Sequence, residues 1–253
     1  QAFLLQGFLG EREVGAVLAK ARSASLLYNN NPDSVDGRPT YETYFMVDAQ
    51  YVPGGLRDVI EPVVKDRIEP YARERYSCEG AKVCTCLLRR YLPGERRAHP
   101  AHYDMHAYCT VVVGLNPEEF EGGLYVQSTP DIASRAFLQL GPGDAVFHRY
   151  DLEHGVEVLS GVRYSLIFWL KDSEHSCLTN SVPWYHRDAQ AGDADAQALL
   201  AGMCTAGRGP FTEGPDEELA AYWYGRAAEQ GQAEAMLHLG ELYNEGRGGL
   251  VRE

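Results

Sequence analysis

Between residues 83 and 170 the chain is a succession of short apolar stretches cut by Pro93-Gly94, Gly122-Gly123 and Gly141-Pro142-Gly143. Runs of that length between such breakers read as strands. The pattern predicts strands at 83–91, 108–115, 137–140, 145–147 and 162–170. Many short strands joined by tight turns close into a sandwich or barrel, and the mouth of a small barrel is a common ligand site. Ahead of this region the spacing predicts a strand over 3–8, then a helix over 10–24 with Val14, Val17, Leu18 and Ala21 on one face, and a strand over 41–47. Leu56, Val59, Ile60, Val63, Val64 and Ile68 mark an amphipathic helix, kinked or restarted near Pro62. Residues 29–37 are dense in Asn, Pro, Asp and Gly and predict a mobile loop. The expected class is α+β: a double-stranded β-helix of the jelly-roll, cupin-like kind, buttressed by helices.

Past Ser181 the pattern changes. Trp184-Tyr185 recurs as Trp223-Tyr224, Ala191-Gly192 is answered by Gln230-Gly231, and Gly207-Arg208 by Gly246-Arg247, each at an offset of 39 residues. Ala-rich segments at such a period predict helical hairpins that bury their faces against neighbouring units. Residues 223–231 and 235–243 resemble Sel1-like repeats, relatives of the tetratricopeptide repeat, with one unit complete and a second cut short. Two domains are therefore expected, 1–173 and 182–253, the second an all-α repeat segment whose surface could recruit a protein partner.

Composition narrows the partners. A net charge of −13 argues against a nucleic-acid backbone. No apolar run is long enough to span a membrane. The six cysteines are too few and too scattered for a disulfide framework, and Cys84, Cys86 and Cys109 read as buried thiols. The chain starts at Gln1 and stops at Glu253 inside a repeat, so it reads as an excerpt. A missing signal peptide is then uninformative, and the compartment stays open with the cytoplasm favoured.

The chemistry concentrates in His102-Tyr103-Asp104, His154 and Arg163-Tyr164-Ser165. Positions i and i+2 of a strand face the same side, so His102 and Asp104 can reach one metal, with His154 completing two imidazoles and a carboxylate. That donor set is the facial triad of non-heme Fe(II) oxygenases. Arg163, nine residues after His154, could grip a carboxylate bidentately. His148 is the rival distal ligand.

Around these residues stand Leu88-Arg89-Arg90-Tyr91-Leu92-Pro93-Gly94, Phe120-Glu121-Gly122-Gly123, Gly141-Pro142-Gly143-Asp144 and the stretch from Gly161 to Leu170. Over residues 3–172 the run resembles the prolyl 4-hydroxylase branch of the Fe(II)/2-oxoglutarate dioxygenases. The resemblance implies hydroxylation of a peptidyl proline with O2, releasing succinate and CO2, with ascorbate as reductant. It implies His102, Asp104 and His154 as metal ligands and Arg163 as the grip on the distal carboxylate of 2-oxoglutarate. The resemblance carried by the surrounding motifs implies His154 rather than His148, through the Gly155-Val156 that follows it and its spacing to Arg163. Ser165, Thr110 and Tyr91 would be further cosubstrate contacts. Trp169, Tyr103 and Arg97 would meet a proline-containing peptide, with Arg96 beside them, although a solvated basic turn is the alternative for both arginines. A packed strand residue and a core aromatic are the alternatives for Thr110 and Trp169. His99 and His106 match no family position and read as partners of the ligands or, in preference, as loop surface. The 29–40 segment corresponds to the family's lid. Oxidation of another residue or a small molecule, and a catalytically silent scaffold working through its repeats, remain as alternatives.

Overall fold

The computed structural model describes residues 2–33, 35–129, 131–207 and 214–250. Ser34 of the predicted loop and Arg208 of the repeat lie outside the described residues. The chain divides into two compact units between Asn180 and Ser181.

The first unit runs β1 (Ala2–Leu5), α1 (Glu11–Ala21), β2 (Tyr41–Val47), β3 (Gln50–Tyr51), α2 (Arg57–Val63), a π-helical turn (Val64–Ile68) and α3 (Glu69–Arg75). It continues through β4 (Lys82–Tyr91), β5 (Ala98–His102), β6 (Cys109–Gly114), β7 (Phe120–Gln127), β8 (Arg135–Phe137), β9 (Ala145–Arg149), β10 (His154–Gly161), β11 (Arg163–Lys171) and α4 (Glu174–Thr179). Among the described residues the strands form two antiparallel sheets, ordered β1-β9-β6-β11-β4-β2-β3 and β5-β10-β7-β8. This mixed α and β chain with antiparallel sheets is the arrangement a double-stranded β-helix requires.

The central strands β6, β11 and β4 are almost wholly buried, which explains why they read as apolar runs rather than alternating ones. Leu87, Val111 and Phe168 have no exposed surface. The helices brace one side: Tyr71 of α3 meets Phe147 of β9 with ring centroids 4.6 Å apart. Arg67 donates to the Phe8 carbonyl at 2.6 Å and pairs with Glu13 of α1. The expected kink at Pro62 takes the form of the π turn that begins two residues later. A proline without an N–H leaves the ladder open there, and the π turn absorbs the extra residue.

Four strands lie outside the ranges that the sequence pattern predicts, β3, β5, β7 and β10. Gly122 and Gly123 carry φ of +87° and +120° inside β7, so a pair that reads as a turn instead lets strands approach. A Cβ on Gly122 would collide with the Glu157 carbonyl of β10. The expectation of buried thiols is corrected at Cys84, which is disulfide-bonded to Cys177 of α4 across a Cα–Cα distance of 5.2 Å. Cys86 and Cys109 are buried free thiols.

The second unit contains α5 (Trp184–Gln190), α6 (Ala194–Thr205), α7 (Glu217–Ala228) and α8 (Ala233–Glu245). Side chains cap three of them: Asp193 accepts from the Ala196 N–H, Asp216 from Leu219 and Gln232 from Ala235. Ala196, Ala201, Ala220, Ala227 and Ala235 sit in its core, so the helix axes can approach closely. No helix among the described residues is long and apolar enough to cross a membrane.

The disulfide ties β4 to α4 across 93 residues of sequence. Replacing both Cys84 and Cys177 with Ala is expected to lower unfolding free energy by about 2–4 kcal/mol, chiefly by releasing the unfolded chain. Urea midpoints of the variant and the oxidised parent check this.

Candidate metal centre

Strand β10 lies between β5 and β7, and its first residue, His154, is the direct partner of His102, the last residue of β5. Their rings sit 4.5 Å apart between centroids. Asp104 follows in a turn closed by its own carbonyl accepting from the Ala107 N–H at 3.0 Å. Its Oδ1 lies 3.5 Å from His102 Nε2 and its Oδ2 3.6 Å from His154 Nε2. One ligand atom from each of the three residues falls within 4.8 Å of the others.

The ring orientations are fixed from behind. His102 Nδ1–H donates to the Pro100 carbonyl at 2.9 Å, and His154 Nδ1–H donates to the Leu152 carbonyl at 3.0 Å. A carbonyl can only accept, so both Nδ1 atoms carry the proton and both Nε2 lone pairs face Asp104. Metal-binding histidines are held this way. Thr110 donates its hydroxyl to Asp104 Oδ2 at 2.6 Å, which orients the carboxylate. Burial pushes His154 down to about 3, helped by His148. Burial works to raise Asp104, but the His102 contact and the surrounding imidazoles hold it well below the usual carboxylate range. A neutral distal imidazole beside an ionised carboxylate is the protonation state a divalent metal needs.

Gly155 explains the residue after the distal ligand. A Cβ there would run into the Tyr125 ring and the His99 carbonyl. His148, the rival, is buried on β9, with its ring 4.2 Å from that of His154. Its Nδ1–H donates to the Arg149 carbonyl, and its Nε2 has no hydrogen-bond partner among the described residues. It stands outside the three-residue cluster.

A cavity of about 100 Å³ opens beside the cluster, lined among others by Tyr91, Tyr103, Thr110, Arg163 and Trp169. Arg163 is 3% exposed. Its Nη1 donates to Ser165 Oγ at 3.1 Å, and its guanidinium lies 5.5 Å over the Tyr91 ring, but no carboxylate pairs with it among the described residues. Burial lowers its affinity for its proton. Tyr91 Oη is buried without a partner among the described residues. An acid-free guanidinium and an unsatisfied hydroxyl facing one cavity fit a carboxylate ligand, and the three ligand residues fit a divalent metal that accepts imidazole and carboxylate.

Not every expected residue converges there. Arg97 does not line the cavity, and its guanidinium donates to the Val158 and Gly161 carbonyls at 3.1 and 3.0 Å. Arg96 is no solvated turn residue, because it pairs with Asp36 at 2.9 Å. Trp169 is half-buried in the cavity wall with His106 edge-on at 4.3 Å, and Tyr103 stands at the mouth, 41% exposed. Sequence reasoning placed His99 at the surface by preference. It is 3% exposed and lies between Asp33 and His102. Arg89 was also missed: it lines the cavity, held by Glu42 at 2.7 Å.

No family model matches the chain, and no curated protein matches it. Solved structures do. A 2OG-Fe(II) oxygenase family oxidoreductase from Burkholderia pseudomallei matches with a TM-score of 0.54 at 18% identity, over 68% of this chain and 85% of that one. A prolyl-4-hydroxylase from Pseudomonas putida matches with a TM-score of 0.50 at 18% identity, over 67% of this chain and 91% of that one. A Trichoplax adhaerens prolyl hydroxylase, solved with a hypoxia inducible factor peptide fragment, matches with a TM-score of 0.50 at 15% identity, over 71% and 86%. These similarities establish a shared fold, mixed α/β with antiparallel sheets of the 2OG oxygenase jelly-roll kind.

Proposed function

We propose that the first unit, residues 1–173, is an Fe(II)- and 2-oxoglutarate-dependent dioxygenase that hydroxylates a peptidyl proline at C4. The observation that carries this reading is the His102, Asp104 and His154 cluster sharing one cavity with the acid-free Arg163. Bound iron and 2-oxoglutarate would supply O2 activation, with succinate and CO2 as products and ascorbate as the reductant that maintains the ferrous state.

The chain's own residues do the positioning. His102 and His154 present Nε2 lone pairs, and Asp104 presents an oxygen on the side opposite the Thr110 hydroxyl bond. Arg163 receives the distal carboxylate of 2-oxoglutarate, with Tyr91 Oη as second donor and Ser165 holding the guanidinium in its rotamer. Burial strengthens that pairing, because water does not compete for either partner. Thr110 acts through Asp104. Trp169 and Tyr103 offer aromatic faces to a pyrrolidine ring at the mouth, and Arg97 would reach a peptide only by releasing the Val158 and Gly161 carbonyls. The peptide seen on the Trichoplax enzyme supports a peptide substrate. The second unit, residues 182–253, we assign to Sel1-like repeats that would bind a protein partner.

Incubating a pool of proline-containing peptides with enzyme, Fe(II), 2-oxoglutarate and ascorbate should yield proline heavier by one oxygen, together with succinate. Both should be absent with His154→Ala. Succinate without modified proline would move the substrate elsewhere, and neither signal from an iron-loaded protein would favour a silent scaffold. Arg163→Ala should weaken 2-oxoglutarate binding by about 2 kcal/mol or more, roughly 30-fold, while iron is retained. Titration calorimetry beside metal analysis reads both, and unchanged affinity would remove Arg163 from that role.

A further inference from the structure

We infer that Asp33 and His99 form a positioning relay that couples the 29–40 strap to the metal centre through the back of His102. The inference rests on His102 being a metal ligand and assigns roles to two residues the dioxygenase reading leaves unused.

Three contacts make the chain continuous. Asp33 Oδ2 lies 3.0 Å from His99 Nε2, His99 Nδ1 lies 3.1 Å from His102 Nδ1, and His102 Nδ1 lies 2.9 Å from the Pro100 carbonyl. The Pro100 carbonyl fixes a proton on His102 Nδ1. Two N–H groups cannot face each other at 3.1 Å, so His99 Nδ1 accepts, and a neutral His99 carries its proton on Nε2, where the Asp33 carboxylate accepts it. One arrangement of protons satisfies these three contacts, leaving only the longer 3.4 Å approach of His99 Nδ1 to the Pro100 carbonyl without a proton, and it leaves His102 Nε2 free toward Asp104. The two histidine rings lie 4.2 Å apart, tilted by 51°, His99 is 3% exposed and the Asp33 side chain is 10% exposed, so the relay works largely out of water.

The other imidazole has no such connection, since His154 Nδ1–H ends on the backbone carbonyl of Leu152. Among the described residues, His102 alone of the two imidazoles is wired to a separate segment, 66 residues upstream of His99. That segment is itself shaped: Asp33 N–H donates to the Arg38 carbonyl at 2.9 Å, Pro32 bridges Pro39, and Arg96 holds Asp36. Asp33 and Val35 of the strap also line the cavity.

A metal on Nε2 withdraws electron density from the ring and makes its Nδ1–H a stronger donor. Successive hydrogen bonds polarise one another, so the His99 and Asp33 contacts tighten with it. The coupling is reciprocal: whatever factor the docked strap adds to metal affinity, the metal adds to strap docking.

The test uses Co(II) alone as the probe, titrated anaerobically into the full chain and followed by its visible absorption, with hydrogen exchange of the strap amides in parallel. Asp33→Ala and His99→Gln should each weaken Co(II) binding about 10-fold and shift its absorption. Asp33→Asn, which keeps an acceptor oxygen, should recover part of the loss. Co(II) should slow strap exchange in the parent and not in Asp33→Ala. Equal affinity and an unchanged spectrum in Asp33→Ala would overturn the relay while leaving the metal centre standing. An equal loss in Asp36→Ala, which unpins the strap from Arg96 and the Arg38 N–H, without any spectral change would also overturn it, because strap shape alone would then suffice. A folded parent that binds no Co(II) would overturn the metal centre itself.

Discussion

The register of β10 between its two neighbours is what the site depends on. Side chains alternate along a strand, so a slip of one residue would turn His154 away from His102 and scatter the ligand set. The chain pins that register with backbone proximity rather than with large side chains. Gly122 lets β7 close on the Glu157 carbonyl, and Gly155 sits where the Tyr125 ring and the His99 carbonyl leave no room for a Cβ. Arg97 adds a clamp, donating to Val158 and Gly161 while its own carbonyl accepts from the Val158 N–H at 2.8 Å. Gly122, Gly155 and Arg97 stand outside the cluster and yet hold the strand that brings His154 to His102.

The cavity holds two buried arginines with opposite electrostatic histories. Arg89 and Arg163 project from the paired strands β4 and β11, where Ser165 stands opposite Arg89 and Tyr91 opposite Arg163. Arg89 has its counter-ion within the fold, Glu42, which in turn accepts from Tyr44 Oη. Arg163 has only a hydroxyl, and the nearby Arg89 charge works against it. Burying a guanidinium without an anion costs several kcal/mol, a penalty that a carboxylate in the cavity would relieve. The difference between the two arginines leaves one end of the cavity, and not the other, suited to an anion.

Part of this was legible from spacing, though not for the reason the strand rule supplies. His102 closes β5 and Asp104 meets it from the turn beyond rather than from the same strand face, while the interval from His154 to Arg163 is the length of β10, from its first residue to the first residue of β11. What escaped the sequence was whatever depends on distant chain. His99 gains its meaning only from Asp33, and the Cys84–Cys177 bond needs a proximity that no spacing encodes. The glycine pair in β7 misled in the other direction: its positive φ values read as a turn, whereas the fold uses them to bring two strands together. Arg96 read as solvated because its acidic partner lies in the strap.

Exposure around the cluster shows from which side it is approached. The Asp104 and His154 side chains are 6% and 7% exposed, while the His102 side chain retains 16%. Tyr103 and Met105, flanking Asp104, are the exposed apolar side chains nearest in sequence. Access is therefore along the His102 side, where Asp33 and Val35 form part of the wall. A substrate entering there meets the strap before it meets the reactive centre. Because the strap carboxylate reaches His102 through one imidazole, displacing the strap changes the hydrogen bonding behind a ligand. Asp33 and His99 thus join the cavity wall to the back of His102, and if His102 holds a metal the openness of the cavity and the strength of binding would vary together.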